Sequence, residues 1–277
     1  MRDPSFPLAI RALESHPAYV QAAGACPDLA DPRTPPLAAP ARCNLVLVHG
    51  GLSNGLADFG GSLIGGAAPL LAPAPGFNIF RFEHDTWLPV RSNVDQLVRL
   101  IREKLHGGKL FFIGFSRGGV VAVRAAALLR RLHAVDPGRD AAARSHGDVE
   151  VMTFGTPHRG FRTGDVGWHL PRTCYCLQYA VSSAIRHLPA PRRLAIFVDS
   201  LRRLSRLPPG IADIRTGNPE LEEFIRSAAG RWIEGRLHAY GGAPPQPGWL
   251  PQWCRALLSR PVPGIGDGAV SLASATA

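Results

Sequence analysis

The stretch "KLFFIGFSRGGVVAV", Lys109–Val123, places one serine between two kinds of local order. Leu110–Phe115 is short and apolar and is bounded by Gly107-Gly108 before it, as a strand buried on both faces would be. From Arg117 to about His133 the apolar residues run on without Gly or Pro after Gly119, which predicts a helix. Gly114-Phe115-Ser116-Arg117-Gly118 therefore occupies a sharp strand-to-helix turn. The glycines two residues either side of Ser116 are needed because the chain approaches itself too closely for a Cβ, and Gly119 lets the helix start pack closer still. Such a turn lifts the Ser116 hydroxyl above the sheet at the positive end of a helix, where developing negative charge is favoured.

The neighbouring segments give this strand partners. "CNLVLVHGG" (Cys43–Gly51) holds the β-branched apolar run Leu45–Val48 and stops at two glycines. "GFNIFRFEHD" (Gly76–Asp85) and "DVEVMTFGTP" (Asp148–Pro157) read as further strands. Between them, "RSNVDQLVRLIREKLHGG" carries Val94, Leu97, Val98, Ile101 and Leu105 on one helical face, with Ser92 or Asn93 as the expected cap and Gly107-Gly108 as the stop. Strands alternating with helices predict right-handed βαβ units and an α/β fold with a mostly parallel central sheet flanked by helices. Residues 1–42, rich in Pro and Ala, read as a loose lead-in with one short helix near Pro7–Glu14, and 43–277 as the main domain. Within it, 161–230 breaks the pattern and reads as a helical cap or lid insertion. "PRRLAIFVDSLRRLSRL" puts Leu194, Phe197, Val198, Leu201 and Leu204 on one stripe with arginines largely opposite. That stripe either packs on the core or covers an apolar substrate.

The chain of 277 residues carries a formal charge of +10, and of its 31 basic residues only Lys104 and Lys109 are lysines. The arginines are scattered rather than blocked together with aromatics, so the charge does not point to nucleic acid. Hydrophobic residues make up 45% and charged residues 19%, the balance of a globular protein rather than a disordered one. Five cysteines without zinc-type spacing, Cys174-Tyr175-Cys176 being C-x-C, give no metal or redox motif. Glu83, His84 and Asp85 in "RFEHDTW" lack a second cluster and read as a strand-end turn. No P-loop or dinucleotide fingerprint is present, so no cofactor is expected. No recognisable signal peptide and no run of membrane-span length occur, which gives a cytoplasmic expectation without excluding export.

His49-Gly50-Gly51-Leu52 supplies a second element of the chemistry. Acyl transfer needs backbone N–H groups aimed at an oxyanion. One is expected from Arg117, directly after the serine, and another from Gly51 or Leu52, with His49 supporting the turn. "LVLVHGG", "GFSRGG", "TFGTPHRG" and "GDGAVSLASA" resemble, in order and spacing, the bacterial lipases and esterases of the α/β-hydrolase fold, over roughly residues 43–160 and 260–277. The resemblance implies a serine esterase acting through an acyl-enzyme on Ser116, with Asp267 as the triad carboxylate and His158 structural. It also implies a small-molecule or lipid ester as substrate, with transient contact at a membrane surface compatible with it. In this fold the histidine follows the acid, and none follows Asp267 here. Three accounts fit: truncation; an earlier acid such as Asp199 or Asp213 with His238 as base; or a degenerate relative that binds a hydrophobic ligand or partner without turnover. The first and third are favoured, because His238 sits inside a strand-like segment.

Overall fold

The structure is a computed structural model that describes residues 26–37, 43–51, 55–59, 77–105, 107–135, 148–160, 189–203 and 209–240. Its centre is a five-stranded sheet formed by β1 (Cys43–Val48), β2 (Phe77–Phe82), β3 (Lys109–Phe115), β4 (Val149–Phe154) and β5 (Leu237–Tyr240). The order is β2-β1-β3-β4-β5, and every pairing is parallel. Helix α1 (Gly55–Phe59) follows β1, α2 (Val90–Lys104) follows β2, and α3 (Arg117–Val135) follows β3. Beyond β4 come α4 (Ala190–Arg203), α5 (Pro209–Ala212), α6 (Pro219–Arg226) and α7 (Ala228–Glu234), which return the chain to β5.

Parallel strands joined by crossovers bury both faces. One face, with Val46, Val48, Phe80, Phe82, Leu110, Phe112, Val149 and Val151, packs against Leu97 and Ile101 of α2 and Val120 and Val121 of α3 in the main core. The alternate residues Leu45, Leu47 and Ile113 join Cys26 and Phe59 in a smaller cluster on the other face. Progression reverses at β1: β2 lies on one side, whereas β3, β4 and β5 build outward on the other. In open parallel sheets the crevice above the carboxyl ends of the strands at such a reversal is where ligands bind.

Two local expectations are corrected. Neither Ser92 nor Asn93 caps α2. The helix begins at Val90, whose N–H is accepted at 2.7 Å by Oδ2 of Asp213, 123 residues away, while Asn93 is buried and donates to the Asp85 carbonyl. The helix stops at Lys104, so Leu105, expected on its apolar face, is an extended residue just past its end, and Gly107 and Gly108, both in the left-handed region, follow. The lead-in is not loose throughout. Pro27–Leu29 pair with β2, Leu29 N–H donating to Arg81 O and Arg81 N–H to Pro27 O, with Leu29 fully buried, and Leu37 N–H donates to Lys104 O at the end of α2.

On α4, Leu194 and Val198 stand exposed at 62% and 37%, so the core-packing reading of the stripe fails at those two positions. Among the described residues no helix is long and apolar enough to cross a membrane. Cys26 and Cys43 are buried free thiols, and burial pushes that of Cys26 up to about 12. The other three cysteines lie outside the described residues.

The Asp28 carboxyl accepts N–H bonds from Ala30 and Glu83. Burial first, and the Glu83 charge second, push it from 3.8 up to about 6. Between those values the native chain holds a proton that the unfolded chain releases, so this site's contribution is full below about pH 4 and lost as pH rises to about 6. His158 opposes it: buried and pushed down to about 4, its contribution is lost as pH falls from about 6.5 to about 4. Asp28→Asn is expected to gain roughly 2–3 kcal/mol over wild type at pH 7 and nearly nothing near pH 4. Urea denaturation at the two pH values measures this, and in the variant the acid loss due to His158 should stand out more steeply.

Candidate functional site

Only one residue, Ser116, separates the last residue of β3 from the first of α3. A chain that reverses in one residue needs a left-handed backbone. Ser116 has φ +50°, and among the described residues it is the one non-glycine with positive φ. Its strain is held by two backbone bonds, Ser116 N–H to Phe154 O at 2.8 Å and Gly119 N–H to Ser116 O at 3.0 Å. The glycines follow from distance. A Cβ on Gly118 would come to 2.2 Å from the Val48 carbonyl oxygen and 2.3 Å from that of His49. One on Gly114 would meet Gly119 Cα at 2.4 Å, and one on Gly119 would meet Thr156 Oγ1 at 2.0 Å.

The His49-Gly50 turn lies beside Ser116, at the sheet reversal. A Cβ built on Gly50 would lie 3.3 Å from Ser116 Cβ, 3.3 Å from Asp58 Oδ2 and 3.1 Å from Phe115 Cδ1. His49 is fully buried. Its Nε2 accepts the His84 N–H at 3.2 Å, so Nδ1 carries the proton donated to the Gly50 carbonyl at 2.8 Å. The ring stacks on His84 at 4.0 Å, and His84 stacks in turn near Phe82. Burial above all, with His49 and Arg117 nearby, holds His84 well below the usual imidazole range. "RFEHD" is thus a strand-end turn packed behind the site, as read from sequence.

Gly50 N–H donates to Asp58 Oδ2 at 2.7 Å, a contact that sequence reading missed. Its only signal is an aspartate nine residues after His49, on a helix of five residues. Glu83 holds the start of the same helix by accepting Gly55 N–H at 3.0 Å, and is itself bonded to Arg81. Gly51 is described in this turn; Leu52 and Asp267 lie outside the described residues.

Arg117 does more than follow the serine. Its side chain is fully buried, with Nε donating to Gly210 O at 2.8 Å and an Nη to Leu88 O at 2.7 Å. Gly210 has no room for a Cβ between Thr86 O, Leu88 O and this guanidinium. The residue after Ser116 therefore ties the turn to both the β2–α2 loop and the α5 segment.

The histidines separate clearly. His158 lies next to Thr153 Oγ1 at 3.0 Å, and burial pushes it down to about 4. His238 pairs with Glu150 at 3.1 Å. It registers with Met152, which registers with Ile113, three residues short of Ser116 and two strands away, so it lies on the order of 10 Å or more from the hydroxyl. Among the described residues no imidazole is hydrogen-bonded to Ser116. On the sheet's upper edge, Phe115, Phe154 and Tyr240 share one register row, with Phe115 and Tyr240 exposed at 41% and 48%.

Searches by sequence find no matching family model and no matching curated protein. Among solved structures, the chain is similar to lipase BlEst2 of Bacillus licheniformis in its mature form, with 16% identity over 87% of this chain and 83% of that one at a TM-score of 0.39. It is similar to RedJ, a thioesterase of the prodiginine biosynthetic pathway in Streptomyces coelicolor, with 17% identity over 68% and 69% at 0.34. A lipase-esterase related protein from Clostridium acetobutylicum aligns at 12% identity over 64% and 72%, with a TM-score of 0.29. The α/β architecture rests on the strand order and turn geometry above.

Ser116→Gly removes the left-handed penalty and is expected to raise stability by about 1 kcal/mol. Gly118→Ala, whose new methyl meets two backbone carbonyls, is expected to lose about 3 kcal/mol or more. Denaturant midpoints of both variants against wild type check this pair of opposite signs.

Proposed function

We propose that this protein is a serine hydrolase of carboxylic esters, of the lipase or esterase type, on an α/β-hydrolase fold. The observation that carries the reading is Ser116 at φ +50° in a one-residue turn between β3 and α3, beside the His49-Gly50 turn at the point where the sheet order reverses. In this reading Ser116 Oγ attacks the ester carbonyl and passes its proton to an imidazole base oriented by Asp267. N–H groups of Arg117 and of Gly51 or Leu52 hold the oxyanion. The alcohol leaves with that proton, and water then cleaves the acyl-serine to release the acid and restore the hydroxyl. The row Phe115, Phe154 and Tyr240 next to the serine favours an apolar acyl or alcohol group. Helix α4, with its exposed Leu194 and Val198, serves as a cap over that group, whereas Ile214 and Leu221 of the expected 161–230 insertion are buried in the main core.

Five of the ten histidines, His16, His106, His146, His169 and His187, lie outside the described residues. The pairing of His238 with Glu150, away from Ser116, favours a second reading, a relative that binds a hydrophobic ligand without turnover. Loss of the base would remove most of the rate while leaving the pocket.

A fluorophosphonate probe decides between them. Wild type should label in a time-dependent manner and Ser116→Ala should not. Labelling that persists in Ser116→Ala overturns the assignment of the nucleophile, and a folded wild type that stays unlabelled favours the binding protein. For a labelled protein, alanine variants of the five histidines should include one that loses labelling by about 100-fold or more.

A further inference from the structure

We infer that Asp58 is a positioning residue: its carboxylate fixes the Gly50 peptide and thereby orients the N–H groups that follow it in the turn beside Ser116. The functional side of the inference rests on the ester-hydrolase reading above; the structural side does not.

A turn made of two glycines has the most backbone freedom of any dipeptide and no side chains with which to pack itself. An oxyanion site works only if its donors are already in place when charge develops. In this protein the missing packing is replaced by polar bonds on both ends of one residue. Gly50 N–H is held by Asp58 Oδ2 at 2.7 Å, and Gly50 C=O is held by His49 Nδ1 at 2.8 Å. His49 cannot turn away, because its second nitrogen takes the His84 N–H and its ring is buried against that of His84. Asp58 is held in turn by the short helix α1, whose first N–H is accepted by Glu83. The His49-Gly50 turn and α1 are thus tied to each other and to the end of β2. Because Gly50 N–H is committed to Asp58, it is not a donor to substrate, which among the described residues of the turn leaves Gly51 for that task.

The same position makes the charge of Asp58 a cost. Asp58 Oδ2 and Ser116 Cβ both lie 3.3 Å from the point where a Gly50 Cβ would sit. A carboxylate on the same side of Gly50 as the serine opposes negative charge that develops beside it. Geometry and charge therefore predict different orders of activity, and two variants separate them. Asn in place of Asp58 keeps an oxygen that accepts from Gly50 N–H and removes the charge. Ala removes both and leaves the Gly50 N–H without its acceptor.

The experiment measures the second-order rate of fluorophosphonate labelling and the hydrogen-exchange protection of the Gly50 amide in wild type, Asp58→Asn and Asp58→Ala. The positioning role predicts that Asp58→Asn labels at least as fast as wild type, that Asp58→Ala, assayed well below its own melting temperature, labels 10–100-fold more slowly, and that the Gly50 amide is protected in all but Asp58→Ala. Slowing of both variants alike would overturn it in favour of a carboxylate that acts directly as a base. Equal labelling in all three would overturn it as irrelevant to the site. A wild type that does not label rejects the hydrolase reading and not the clamp, which then stands or falls on the exchange of the Gly50 amide.

Discussion

The approach of Gly118 to the carbonyl oxygens of Val48 and His49 is the constraint on which the upper edge of the sheet depends. It brings the start of α3 against the end of β1, and only a residue without a side chain permits it. Once those two backbones are in contact, the chain has a single residue in which to pass from β3 to α3. Ser116 takes the left-handed backbone that this demands, and the cost is carried by the surrounding bonds to Phe154 and Gly119. The serine hydroxyl and the His49-Gly50 turn are neighbours for the same reason, since β1 and β3 are adjacent strands whose register aligns Val48 with Gly114.

Around that contact the protein spends polar side chains on backbone. His49 and Asp58 hold the Gly50 peptide, Glu83 holds the start of α1, Arg117 holds Gly210 and Leu88, and Asp213 holds the start of α2. Loops at the end of a parallel sheet cannot satisfy their own N–H and C=O groups by ladder pairing, and burial without partners is costly. Each of these side chains supplies such a partner, and most connect segments far apart in sequence. The segment 210–213 is in this way bound to the start of α3 through Arg117 and to the start of α2 through Asp213.

Periodicity and punctuation carried much of the fold. Leu45–Val48, Ile79, Leu110–Phe115 and Val149–Phe154 fell in strands, and Val94, Leu97, Val98 and Ile101 on the buried side of α2. These signals are local: a side chain's alternation between faces depends on its own strand. The helix cap was misread for the complementary reason. Ser92 and Asn93 have the right chemistry for a cap, but the loop 84–89 bends so that Asp213 reaches Val90 first, and a contact across 123 residues leaves no mark near either end. The same applies to residues 26–37, whose Pro-rich composition says nothing of the edge strand that receives 27–29 or of the end of α2 that binds Asp31 and Leu37.

The sequence by itself determined the strand–turn–helix frame of Ser116 and the glycines around it, because steric exclusion within a few residues is written in residue type. It also marked His49 as support for its turn. The tertiary structure alone decided which side chains hold that turn, placing Asp58 on Gly50 and burying Arg117 between two loops. It alone took His238 out of contention, since strand register, not spacing along the chain, sets its distance from the serine. Covalent neighbours fix what the backbone can do at Ser116; which groups meet it is fixed by packing, and packing is a property of the whole sheet.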